Sequence, residues 1–226
     1  MITNDITSAL IFEDDADFSV GIRDILEGVS QQLQNITGAT NGEPYGIVGG
    51  SGWDLLTLGH CTYHMPDPES HPNAAKMIRA WVDPYAPERE KFLKYMPDAP
   101  SERIRVLAPS KGSLCNHGYA VTREGAMSLL YNVGGPGHTL NLAKDVIIRE
   151  QLQKGVLKGF LCVPDIVSPW KFQDWRDTDI QLRTQKQLER FKKGAGVDIV
   201  GSVREELKRV YGGRNVWKEI ENEGKK

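Results

Sequence analysis

The sequence predicts an α/β fold, on three observations. Short apolar runs suited to strands, at 9–12, 53–58, 118–121 and 157–163, are separated by stretches of helical periodicity. The chain has 226 residues, enough to bury a core in one large domain or two small ones. It is 39% hydrophobic and 26% charged and carries five Trp, a composition that excludes a wholly disordered chain.

The elements follow in order. Ala9-Leu10-Ile11-Phe12 is a continuous apolar run and predicts a strand buried on both faces. An acidic turn, Glu13-Asp14-Asp15-Ala16-Asp17, comes next. Phe18, Ile22, Ile25, Leu26, Val29 and Leu33 then recur at helical spacing and predict a helix packed back on the sheet. Residues 35–52 are Gly-rich and polar and predict a loop. The second strand, 53–58, is closed by Gly59-His60-Cys61. Residues 62–112 carry eight of the 12 prolines and predict a long irregular stretch with a short strand at 104–107. After the strand at 118–121, Thr122 is expected to cap a helix running through Tyr131. Gly125 and Ala126 would let that helix approach a neighbour closely. A helix at 141–154, with Leu142, Val146, Ile147 and Leu152 on its apolar side, precedes the strand at 157–163, which ends at Pro164. A loop at 165–180 holds Trp170 and Trp175, and helices are expected at 181–193 and 202–211.

The formal net charge is −2, unevenly spread. Residues 1–180 hold 16 basic and 23 acidic groups, and residues 181–226 hold 12 basic and 7 acidic ones. Glutamates interleave the basic tail, which predicts a mixed-charge helical surface and no nucleic-acid patch. Residues 1–10 contain no Lys or Arg and no apolar run, so no secretory signal is read there. No stretch approaches the roughly 20 apolar residues of a membrane helix. Cys61, Cys115 and Cys162 are too few and too spread for a disulfide scaffold or zinc knuckle, and read as buried free thiols.

The acidic turn is the strongest chemical signal. Along an extended segment Glu13, Asp15 and Asp17 would share one face. Clustered carboxylates repel unless a cation sits among them, and oxygen ligands suit Mg²⁺ or Mn²⁺. Such a metal would bridge nucleotide phosphates and offset charge on a leaving diphosphate. The ends of strands are also where open α/β sheets bind ligands. The alternative is a solvated helix N-terminus, where acids are favoured by the dipole. Other open alternatives concern single residues. His60, at a strand end, is structural or faces a substrate, and the same choice holds for His117. Trp170 and Trp175 are core, or offer a stacking face.

Residues 9–17 resemble the acidic motif of glycosyltransferase family 25, which includes lipopolysaccharide-type and collagen galactosyltransferases and many fungal members. Three further blocks match in order. Trp53-Asp54-Leu55-Leu56-Thr57-Leu58-Gly59-His60-Cys61 resembles the family's second strand block. Residues 115–126, from Cys115-Asn116-His117 to Gly125-Ala126, resemble its Cys, Tyr and Gly-Ala block, and Lys144-Asp145-Val146 its later Asp. Asp177-Thr178-Asp179-Ile180 and Ser202-Val203-Arg204 resemble fungal members most. The likeness spans about residues 5–217.

What the resemblance implies is an inverting transferase with a partial GT-A (Rossmann-like) nucleotide-sugar fold, long loops and a helical C-terminal tail. The domain would span 1–180, with 181–226 a basic helical extension. Glu13 and Asp15 would hold the divalent metal, Mn²⁺ or Mg²⁺, with Asp14 and Asp17 as neighbours on the donor side. The donor would be a UDP-sugar, UDP-galactose first. Asp145 would be the general base that takes the acceptor hydroxyl proton, or a structural Asp bridging a loop. His60 and His117 would face a glycan or protein acceptor. Cys61 and Cys115 lie in family blocks and would pair in a secretory lumen, the Golgi or ER location the family suggests.

There is also a departure. Family members usually place a strand reading Val-Ile-Asn-Leu and an Arg pair well before the acidic motif, which here starts at residue 13. The first strands are therefore expected to be missing, leaving a bare sheet edge. A truncated or degenerate remnant without catalysis is the alternative function. An unrelated Mg²⁺ hydrolase is weaker, because Gly49-Gly50-Ser51-Gly52 lacks the Lys of a phosphate-gripping loop. The long stretch from Thr62 to Gly112 is expected to shape the acceptor side.

Overall fold

The computed structural model describes residues 1–39, 45–46, 52–87, 103–134, 142–170 and 199–210. The fold is mixed α/β, built on a six-stranded sheet of order β1-β8-β3-β9-β6-β5. Its strands are β1 (Ser8–Phe12), β3 (Leu55–Gly59), β5 (Arg79–Val82), β6 (Ile104–Ser110), β8 (Gly118–Thr122) and β9 (Gly159–Val163). Only β3 and β9 pair in parallel; the other four pairings are antiparallel. Two small ribbons flank it: β2 (Ala16–Phe18) with β10 (Val167–Pro169), and β4 (Thr62–Tyr63) with β7 (Ser113–Leu114).

Period-2 alternation sorts the strand residues between two faces. Leu56 and Leu58 of β3, Leu107 of β6, Ala120 of β8, and Phe160 and Cys162 of β9 meet Ile25, Val29 and Leu33 of α1 (Ile22–Thr37). The periodicity read from the sequence thus places α1 correctly from Ile22 onward. The helix stops at Gly38, whose φ of 68° suits a residue without Cβ. On the opposite face, Leu55, Tyr119 and Val121 pack on Ile148 and Leu152 of α4 (Lys144–Gln153) and on Ala126 and Leu129 of α3 (Arg123–Gly134). Each such buried side chain contributes about 1.5–3 kcal/mol. Thr122 caps α3 as expected, its Oγ1 accepting the Gly125 N–H at 3.0 Å. Gly125 does bring α3 close: a Cβ there would lie 2.5 Å from the Asp54 carbonyl oxygen.

Several expectations are corrected. The run 9–12 is not doubly buried. It forms β1, an edge strand paired only with β8, and Leu10, Ile11 and Phe12 are exposed. Phe18 belongs to β2 rather than to the first helix. The stretch 62–112 is not one irregular loop. Its described parts hold β4, α2 (Pro72–Ala75), β5 and β6, and β6 is buried along all seven residues between β5 and β9. Arg105 of β6 is fully buried and donates from Nε to the Asp83 carboxylate, a pair that low dielectric makes obligatory. Trp170 is buried, as the core reading had it. The predicted helix at 181–193 and Trp175 lie outside the described residues. The helix predicted at 202–211 is α5 (Val203–Val210). No helix among the described residues is long and apolar enough to cross a membrane.

Candidate functional site

Strand register alone brings separated segments together. Phe12 and Gly59 both stand opposite Gly118. Residues just after β1, just after β3 and just before β8 therefore meet at one end of the sheet: Glu13, His60-Cys61 and Cys115-Asn116-His117. Backbone bonds tie them, Glu13 N–H to His117 O at 3.0 Å and Cys61 N–H to Leu114 O at 2.9 Å. Cys61 and Cys115 form a disulfide with Cα atoms 5.5 Å apart. Two of the three thiols read as free are thus paired, and Cys162 alone is free and buried. Burial pushes its thiol up to about 11, so it stays protonated and inert.

The loop before β8 is held in an uncommon conformation. Cys115 and Asn116 have φ of 76° and 48°, left-handed backbone that non-glycine residues rarely adopt. Three side chains hold it there. Asn116 is fully buried, and its Oδ1 accepts from Ser113 Oγ at 2.9 Å. Ser113 Oγ in turn lies 3.3 Å from Thr57 Oγ1. Asp145, in the first turn of α4, accepts the Cys115 N–H on Oδ2 at 2.8 Å. Its Oδ1 accepts the Val146 N–H at 2.8 Å. The bridging role open to Asp145 is therefore filled, and the same contact puts its carboxylate beside the disulfide.

Glu13 is the hub of the charges. Its Oε2 lies 3.0 Å from His117 Nδ1 and its Oε1 lies 3.6 Å from Lys144 Nζ. An ionised carboxylate only accepts, so a neutral His117 carries its proton on Nδ1 and leaves a lone pair on Nε2. That nitrogen lies 3.6 Å from Cys61 Sγ. Lys144 Nζ also stands 5.3 Å from the centre of the Tyr119 ring. Burial first, and the Glu13 charge second, raise the Tyr119 phenol above its usual value and keep it neutral.

A comparison with protein-family models, with curated proteins and with solved structures finds no match to this chain. Residue placement therefore carries the site.

Of the residues singled out in the sequence, Glu13 and His117 touch, and Asp145 reaches the same loop through the Cys115 N–H. The other acids do not form one face with Glu13. Ala16 N–H bonds to Glu13 O at 3.1 Å, which closes a turn and breaks the extended alternation. Asp17 is fully buried and committed to α5, where Oδ2 accepts from Ser202 Oγ and Oδ1 from Arg204 N–H at 3.2 Å. A carboxylate there complements the positive end of the helix. Asp14 is exposed, and its carbonyl accepts from Arg204 Nη2 at 3.2 Å. Asp15 is half-buried, and its carbonyl accepts the Trp170 N–H at 2.7 Å. His60 is buried against Asp165, with Nδ1 3.0 Å from Oδ1, and does not face solvent. Sequence reasoning missed Asp165 and Tyr119. Tyr119 stood inside the third block, so its position was a usable signal; Asp165 had none.

Proposed function

We propose that the chain is an inverting, metal-dependent glycosyltransferase of partial GT-A type. It would move a hexose, galactose first, from a UDP-sugar to a hydroxyl of a glycan or protein. One observation carries the reading. Segments from four blocks that resemble family 25 in order meet at one end of the sheet and touch through Glu13, Cys61, Cys115, His117, Lys144 and Asp145. By the family resemblance Glu13 and Asp15 would hold Mn²⁺ or Mg²⁺, cations that take carboxylate oxygen, which requires Glu13 to exchange its His117 and Lys144 contacts for the ion. A cation held there would supply charge to offset a leaving diphosphate. Asp145 takes the proton from the acceptor hydroxyl, and its two backbone bonds aim the carboxylate. His117 orients the acceptor, and Lys144 supplies a positive charge to the donor phosphates. The disulfide suits an oxidising compartment such as the secretory lumen.

A second reading is a non-catalytic remnant of such an enzyme. It is favoured by Glu13, both of whose oxygens already face protein nitrogens, His117 Nδ1 and Lys144 Nζ, and by Asp17, spent on α5. Calorimetric titration of UDP with Mn²⁺ tests the metal assignment: the wild type should bind and Asp15→Ala should not. Equal binding by both would sink it. Incubation with UDP-galactose separates the two readings. The enzyme releases UDP and Asp145→Asn does not, while a remnant releases none in either form.

A further inference from the structure

The Cys61, Cys115 and His117 ligand atoms all lie within 4.8 Å of one another. Tetrahedral zinc holds sulfur at about 2.3 Å and imidazole nitrogen at about 2.0–2.1 Å, which sets S···N across the metal at about 3.6 Å. The gap between Cys61 Sγ and His117 Nε2 is already 3.6 Å. The imidazole is also prepared as a ligand. Glu13 holds Nδ1 at 3.0 Å, the carboxylate–histidine arrangement that fixes the tautomer and raises ligand basicity in zinc sites. The two loop ligands, Cys115 and His117, flank Asn116 in a segment of left-handed backbone. Asn116 below is locked by Ser113, so the ligand loop is built before any ion arrives.

We propose that the disulfide and a soft divalent cation are alternative occupants of one site: after reduction, Cys61 Sγ, Cys115 Sγ and His117 Nε2 bind a single Zn²⁺. The reductant is a dithiol. It gives two electrons and two protons to the Cys61–Cys115 bond, which breaks, and it closes into its own disulfide. Binding then releases the two thiol protons, so Zn²⁺ with two thiolates and a neutral imidazole carries no net charge. That neutrality leaves the Glu13–Lys144 pair undisturbed. The sulfurs part from bonding distance by rotation about their Cα–Cβ bonds, and the 5.5 Å between Cα atoms leaves room. The fourth position opens to solvent on the exposed Cys61 side. Cys162 does not compete, because it is fully buried elsewhere in the core.

The site shares Glu13 and His117 with the transferase reading, but no nucleotide takes part in it, so its test succeeds or fails separately from that reading. The test is a Co²⁺ titration of the full chain, oxidised and after reduction with a phosphine. The reduced chain should take up one equivalent and develop thiolate-to-cobalt charge-transfer and tetrahedral ligand-field bands. The oxidised chain should show neither. Glu13→Gln should weaken binding about 10–100-fold. Reduction can loosen the fold, so Cys61→His is titrated as well. It keeps three ligands, cannot form the disulfide, and should bind without reductant. Equal bands from the oxidised chain, or from a Cys61→Ser/Cys115→Ser double variant, would overturn the proposal. So would the absence of binding in both the reduced wild type and Cys61→His.

Discussion

His60 lies 8% exposed, with the Asp165 carboxylate on its Nδ1 side and the Tyr63 ring 5.1 Å away. Burial alone drives an imidazole toward its neutral form, but the Asp165 charge, its hydrogen bond and the backbone hydrogen bonds from the His60 and Cys162 positions together outweigh this and leave the His60 pKa raised above 6.5. The folded chain therefore holds this proton more tightly than the unfolded chain does. The stability that follows is fully present below the unfolded pKa of about 6.5 and is lost as pH rises through the higher folded value. Thermal unfolding should show Tm falling across that window, with the fall absent in His60→Gln. A wild-type Tm that is flat there would remove the pair as a stabilising contact. The sequence shows a histidine at a strand end, which left its role open. The partner that decides it lies 105 residues further on, in a turn acid with no motif of its own.

Helices declared themselves more openly than strands. α1 shows its 3.6-residue period in Ile22, Ile25, Leu26, Val29 and Leu33, because one face has to meet the sheet and the other water. The apolar side read for α4 is corrected: Leu142 precedes the helix and is exposed, Val146 and Ile147 are half-buried, and Ile148 with Leu152 faces the sheet. Leu152→Ala, which opens a void against Leu55 and Val121, should cost about 2–5 kcal/mol in urea unfolding. A wild-type midpoint in that variant would mean that α4 does not cover this face. The strands were harder. Ala9 to Phe12 is equally apolar whether it lies inside a sheet or along its rim, so its edge position was invisible. β2 spans three residues, too few for any alternation to register. β6 was underestimated because prolines crowd the surrounding sequence, although Pro109 itself sits within the strand opposite Phe160.

Across the whole molecule, the site is a product of pairing order. β8 enters the sheet between β1 and β3 and runs against both, so the segments that follow Phe12 and Gly59 come to lie beside the one that precedes Gly118. Periodicity and composition contain no statement of that order. The sequence shows each segment by itself, and their convergence needed three dimensions. The disulfide then closes a sequence separation of 54 residues. Loop-closure entropy for that length amounts to about 4 kcal/mol, reduced in practice by residual structure in the unfolded chain. The Cys61→Ser/Cys115→Ser double variant should lose about 2–4 kcal/mol in guanidinium unfolding. Unchanged stability would place the bond outside the folded core's energetics.

The same covalent closure makes the molecule able to conceal its own damage. A protease that cuts one peptide bond anywhere between residues 62 and 114 leaves both fragments tethered through Cys61 and Cys115. The nicked chain would migrate as a single intact species on a non-reducing gel and gain only the mass of one water. It would come apart when thiol was added. Its integrity therefore has to be judged under reducing conditions, since size alone reports the crosslink and not the backbone.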